Sequence, residues 1–162
     1  MNAIVSVTDD WGIGCQGHLL VRNPADMQFF RRTTMGGVVL CGRKTFESFP
    51  GGALEGRRNI VITRNEAFRP TDAEVAHSVQ EALALVSHED PNRVWLIGGA
   101  AVYEQLLPHC AYALVTRHRV VLEADSFFPD LDASDQWELV RSSDVETTPS
   151  GIPFAFTEYR RT

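Results

Sequence analysis

Val94-Trp95-Leu96-Ile97-Gly98-Gly99-Ala100-Ala101-Val102-Tyr103-Glu104-Gln105-Leu106-Leu107 is the stretch whose reading decides the fold. Four apolar residues run into two glycines and then, without a connecting loop, into a helical pattern over 100–107. A strand that feeds a helix directly is half of a βαβ unit. The same order recurs upstream, where Val38-Val39-Leu40-Cys41 leads through Gly42-Arg43 into a helical pattern over 44–49. Ala3–Thr8, Asn59–Thr63 and Ala113–Thr116 are further short apolar, β-branched runs of the kind buried inside parallel sheets. Helical patterns over 24–34 and 79–86 fall between them. The expected fold is therefore α/β: one domain over 1–162, with a mostly parallel central sheet flanked by helices. The tail differs, since 137–143 and 153–160 read as an antiparallel C-terminal hairpin at the sheet edge. Two segments look too specific to be mere connections. Asp9–Asn23 is a glycine-containing loop long enough to be a lid, and Pro50–Arg58 is a glycine-rich turn ending in two arginines.

Composition narrows the function. The 162 residues carry a net charge of −6, which argues against nucleic acid as the main partner, because phosphate backbones demand a basic face. No apolar run approaches the ~20 residues of a membrane span, and Met1–Ser6 lacks the basic start of a secretory signal, so a cytoplasmic protein is expected. Cys15, Cys41 and Cys110 are odd in number and lack C-x-x-C spacing, which speaks against both a disulfide framework and a zinc site. His18, His77, His88, His109 and His118 form no H-E-x-x-H pattern, and no metal is expected. Asp130–Asp135 begins like a calcium loop, but lacks the turn glycine at its sixth position and the closing glutamate.

Nucleotide motifs are present only in broken form. Gly12-Ile13-Gly14 with Gly17 is not followed at once by a helix, so the dinucleotide fingerprint fails. Gly37 to Thr45 approximates a P-loop, but its spacer is an apolar strand whose amides cannot cradle phosphate. Two strand-to-helix junctions remain, at Gly42-Arg43-Lys44-Thr45 and at Gly98-Gly99-Ala100-Ala101, where free helix N–H groups suit an anion. Lys44 is the sole lysine; it reads equally as a solvated helix-end cation or as a phosphate ligand. Arg64 lies on the same carboxyl-end edge of the sheet. Asn23-Pro24-Ala25-Asp26 is a helix start, with Asn23 as cap and Pro24 at the first helical position. Asp26 is a simple helix-start acid on one reading. On the other, it shares a face with Phe30 beside Met27 and is a lone carboxylate suited to a cationic or amide-bearing heterocycle. Burial would raise its pKa and the helix dipole would lower it.

Taken together, Gly12-Ile13-Gly14, Asn23 to Phe30, Gly42 to Ser48, Gly56-Arg57-Arg58-Asn59, Ile97 to Tyr103 and Ala124-Asp125-Ser126-Phe127-Phe128-Pro129 resemble dihydrofolate reductase of the bacterial chromosomal type, in register over nearly the whole chain. The resemblance implies an NADPH-dependent oxidoreductase of tetrahydrofolate biosynthesis and one-carbon metabolism, an antifolate target and a monomer. It implies that Asp26 binds the pterin's 2-amino group and ring N–H and promotes protonation of N5, with Thr116 supporting it and Tyr103 as a third catalytic residue. The implied substrate pocket comprises Ile4, Ser6, Met27, Phe30, Arg31, Leu54, Ile97 and Arg57, the last on the glutamate α-carboxylate. Ser6, Ile13, Gly14, His18, Gly42, Arg43, Lys44, Thr45, Thr63, Arg64, His77 and Gly98, Gly99, Ala100, Ala101, Val102 and Tyr103 would hold the cofactor. The Gly98–Gly99 bond would be cis. The resemblance departs at Leu20-Val21, where the family usually carries Pro-Trp in the lid. Val21 cannot donate a hydrogen bond, so a less firmly closing lid is expected. A same-fold reductase of another heterocycle, as in riboflavin synthesis, and a non-catalytic binding paralogue are the alternatives.

Overall fold

The computed structural model describes residues 1–162. Strands are β1 (Asn2–Val7), β2 (Gly12–Cys15), β3 (His18–Leu19), β4 (Val38–Gly42), β5 (Arg58–Ile62), β6 (Glu74–Ala76), β7 (Val94–Gly98), β8 (Tyr112–His118), β9 (Ser126–Phe127), β10 (Trp137–Ser142), β11 (Glu146–Thr147) and β12 (Pro153–Arg161). Helices are α1 (Pro24–Thr34), α2 (Arg43–Glu47), α3 (Val79–Leu85) and α4 (Ala100–Leu106). The main sheet runs β10-β12-β8-β1-β7-β4-β5-β6. Its pairs from β8 to β6 are parallel, whereas β12 and β10 add antiparallel strands at one edge. The five apolar runs read from the sequence are its central strands, and Leu40, Ile60 and Leu96 at their middles are fully buried. Continuous apolar runs suit strands covered on both faces.

Helix α1 follows its local chemistry closely. The Asn23 side chain accepts the Asp26 N–H at 3.2 Å, Pro24 occupies the first turn, and Arg31 and Arg32 sit in the last, against the negative end of the dipole. No helix is long and apolar enough to cross a membrane.

Three features differ from expectation. The segment over 9–23 is not an irregular loop. It contains β2 and β3, and β2 pairs with β9 in a separate sheet of order β3-β2-β9. The Asp125 N–H donates to the Gly14 carbonyl, the Gln16 N–H donates to the Asp125 carboxylate, and the Phe128 N–H donates to the Trp11 carbonyl. Val21 is buried. The looseness expected of the lid finds no support in its backbone bonding. The second difference is β6, a three-residue strand that the sequence pattern does not disclose. The third is α2, which spans 43–47 where 44–49 was expected. The acidic stretch at 130–135 closes on itself, with Asp130 accepting the amides of Asp132 and Ala133.

Candidate active site

Chain order and spatial order part company at the centre of the sheet: β1 has β8 on one side and β7 on the other, and β4 lies beyond β7. The carboxyl ends of strands at such a switch point are where α/β sheets form clefts. The residues found there are Ser6 and Thr116, which are register partners on β1 and β8, and Gly98, which faces Cys41 where the β4–β7 ladder shifts.

Asp26 comes to this edge from the first turn of α1. Thr116 Oγ1 donates to Asp26 Oδ1 at 2.6 Å, joining residues 90 positions apart. The carboxyl is half-buried, and burial pushes its pKa up to about 6 despite the opposing Thr116 hydrogen bond. Of the two directions open to it, the raised one is found. Such a group holds or releases a proton near neutral pH.

Of the apolar residues assigned to the substrate by resemblance, Ile4 is buried on β1, while Phe30, Leu54 and Ile97 are half-buried. The Leu54 backbone is fixed at both groups by the Asn59 amide, which accepts its N–H at 2.9 Å and donates to its carbonyl at 3.0 Å. Arg57 is pinned in the same way: Nη1 donates to Thr34 Oγ1 at 3.1 Å and Nε to the Glu55 carbonyl at 3.0 Å. Burial and the nearby Arg31 lower its pKa, and no acid pairs with it. Arg31 and Met27 are exposed.

On the other side of β7 the chemistry is cationic and open. Gly42, Thr63, Arg64, His77, Ala101 and Val102 line one cavity of about 320 Å³, joined there by Ile62, Ser78, Val79 and Gln105. Six residues assigned to the cofactor by resemblance thus meet in one place. Gln105 was not among them, although it lies four residues beyond Ala101 on the same face of α4. Arg64 and Lys44 are exposed and form no ion pair, whereas Arg43 Nη1 donates to Glu47 at 2.5 Å. The Gly98–Gly99 bond is cis, as expected. Gly98 holds φ at +123°, which disfavours a side chain there, and a Cβ on Gly99 would lie a tight 3.3 Å from Thr45 Oγ1.

Tyr103 is buried, and its hydroxyl donates to the Ile4 carbonyl at 2.6 Å. Burial pushes its pKa well above the ordinary tyrosine range. This hydroxyl stays protonated and ties α4 to β1. Ile13 is buried and Gly14 half-buried on β2, while His18 is exposed on β3 and forms no side-chain hydrogen bond with the other site residues. Trp11 packs on Phe128, Tyr159 and the Arg117 guanidinium, and Arg117 alternates with Thr116 onto the opposite face of β8.

The family model for dihydrofolate reductase matches residues 1–161. The dihydrofolate reductase of Neisseria meningitidis serogroup A is 34% identical over 158 residues, which cover 98% of this chain and 96% of that protein. That of Staphylococcus haemolyticus is 30% identical over 161 residues, covering 99% and 95%. Among solved structures, dihydrofolate reductase from Enterococcus faecalis complexed with NADP(H) and RAB-propyl superimposes with a TM-score of 0.89 at 30% identity, covering 99% of this chain and 95% of that one.

Proposed function

The chain belongs to the dihydrofolate reductase family and is an NADPH-dependent oxidoreductase that reduces dihydrofolate to tetrahydrofolate; on that premise we propose that Asp26 is the group through which the reaction's proton is supplied. The observation that carries this is the half-buried carboxyl held by Thr116, with burial bringing its proton affinity into the working pH range. Its carboxylate also accepts the amino and ring N–H donors of a pterin, while Thr116 fixes its rotamer. Phe30, Leu54, Ile4 and Ile97 supply the apolar walls that keep water from the reacting rings. Arg57, already pinned by Thr34 and Glu55 and lacking an acid, takes the substrate's α-carboxylate.

The cationic cavity fits a phosphorylated dinucleotide, because Arg64 and Lys44 carry charge that no acid neutralises, and because the Gly98–Gly99 turn admits close approach. When bound, NADPH supplies the hydride. Gly42, Lys44, Thr45, Thr63, Arg64, His77 and Ala100 to Val102 are the residues proposed to hold it. Arg43 has a smaller share, since Glu47 already engages its guanidinium. Tyr103 positions β1 through Ile4 and transfers no proton. The further setting proposed is a cytoplasmic monomer formed by one domain over 1–162, open to cationic heterocyclic antifolates that pair with Asp26. Burial pushes the Cys41 and Cys110 thiols up to about 12, so both stay unreactive there.

The direct test mixes the purified chain with NADPH and dihydrofolate and follows loss of the NADPH absorbance. Turnover that disappears in Asp26→Asn at neutral pH supports the reading. Turnover retained in that variant contradicts it.

A further inference from the structure

His118 is a fully buried imidazole to which the mechanism assigns no task. It ends β8 two residues beyond Thr116, and successive alternate residues of a strand share a face. Thr116 and His118 therefore meet the start of α1 from the same side. Thr116 takes the side chain of Asp26, and His118 takes Asn23, the residue that caps Asp26's own amide. His118 Nε2 lies 3.1 Å from Asn23 Nδ2, and His118 Nδ1 lies 3.2 Å from the Val7 carbonyl, with Ser6 Oγ at 3.4 Å.

Only one assignment of hydrogens satisfies every group. The Asp26 N–H must donate, so Asn23 presents Oδ1 to it and turns its Nδ2 donors toward the imidazole. Nε2 must then accept, which leaves the proton on Nδ1, directed at the Val7 carbonyl. The imidazole is neutral, and burial lowers its pKa in agreement. The groups around it are Ser6 and Val7 of β1, Asn23 before α1 and the Phe154 ring of β12, none of them charged. Asn23 is itself buried, so water cannot replace a lost partner without cost.

We propose that His118 is a positioning residue for the reaction: it locks the Asn23 amide in the one orientation that caps α1 at Asp26, and so holds the Asp26 carboxyl on Thr116. The inference rests on the proposed role of Asp26 and adds a second attachment of the α1 start to β8. An apolar residue at 118 leaves the Asn23 Nδ2 without a partner and the amide free to rotate, so the cap is made only part of the time. The cavity proposed for the cofactor is lined from β4, β5 and the helices beyond β7, and shares no lining residue with this network.

The test measures the single-turnover hydride-transfer rate with NADPH and dihydrofolate in the full chain, beside NADPH affinity. His118→Leu should slow transfer about two- to tenfold, the range expected for one net hydrogen bond, with NADPH affinity unchanged. His118→Gln should keep the rate, because its amide oxygen accepts from Asn23 and its N–H donates to Val7. Asn23→Ser still caps the helix but cannot reach the imidazole. With the cap no longer dependent on the imidazole, it should keep most of the rate, and adding His118→Leu to it should cost nothing more. The proposal is overturned by an unchanged rate in His118→Leu, by equal losses in the Gln and Leu variants, or by a full additional loss in the Asn23→Ser background. Should His118→Leu not fold, Asn23→Ala, which removes the cap itself, takes its place, and an unchanged rate there overturns the proposal. Asp26→Asn separates the two levels. If it loses transfer while His118→Leu does not, only the link to His118 falls; if it keeps transfer, the role of Asp26 falls first.

Discussion

The two sides of the cleft handle charge in opposite ways. On the α1 side, one carboxyl is half-buried, held by a single hydroxyl and pushed up to about 6 by desolvation. On the β4–β5 side, Arg64 lines an open cavity, Lys44 is exposed at the start of α2, and neither forms an ion pair. A proton-handling group needs a tuned affinity, and here removal from water supplies most of that tuning. A phosphate-binding group needs charge, and exposed charge is available without a folding penalty but is screened by salt. The same sheet therefore builds a sensitive site on one side of its switch point and a tolerant one on the other.

That contrast is broken most severely at Asp26. Asp26→Asn should lower turnover at neutral pH by on the order of 10²-fold or more, the usual scale of a positioned acid–base group. NADPH affinity, measured by fluorescence titration, should stay unchanged. Arg57→Leu comes next, weakening dihydrofolate binding by about 1.5–3 kcal/mol with little change for NADPH. Equal losses for both ligands would place the arginine elsewhere.

The same burial makes a prediction about stability. Because the folded chain raises the proton affinity of Asp26 from 3.8 to about 6, the fold favours the protonated form. Its contribution is complete below about pH 4 and is lost as pH rises through about 6. Above that, the ionised carboxyl destabilises the fold, so Asp26→Asn should be more stable at pH 7 by about 1–3 kcal/mol. Urea unfolding at pH 7 and at pH 4 checks this: the gap should close at the lower pH, and a gap independent of pH would deny that the carboxyl is desolvated. The smallest effect belongs to the open side. Arg64→Leu should reduce the preference for NADPH over NADH by roughly tenfold at low salt, an exposed charge-assisted contact being worth about 1.5 kcal/mol, and by less at 0.5 M salt. A preference untouched at low salt would move the 2′-phosphate away from Arg64.

What the sequence disclosed tracks how local each signal is. The α1 boundaries are legible because Asn23-Pro24 starts the helix and Gly36-Gly37 follows its end. The central strands are legible because both faces are buried and the apolar runs are continuous. The strands β2 and β9 are not, since Gly-Ile-Gly-Cys has little intrinsic strand preference and pairs with residues more than a hundred positions away. Strand β6 exists because β5 offers it an edge. The Asp26–Thr116 pair likewise spans 90 residues, and only the resemblance joined them beforehand. Asn23 was read as a cap, correctly, but its other half, the amide turned to His118, depends on a strand end that no local pattern points to.

The measurement that bears most directly on the role of Asp26 is the pH dependence of single-turnover hydride transfer in the wild-type chain and in Asp26→Asn. A group that must be protonated to act loses activity as pH rises through its pKa. The wild-type rate should therefore fall along a one-proton curve centred near pH 6. In Asp26→Asn that inflection should vanish, leaving a low rate that climbs only at more acidic pH, where the substrate takes its proton from solvent. An inflection near pH 6 that survives unchanged in Asp26→Asn would contradict the assignment of the proton to this carboxyl.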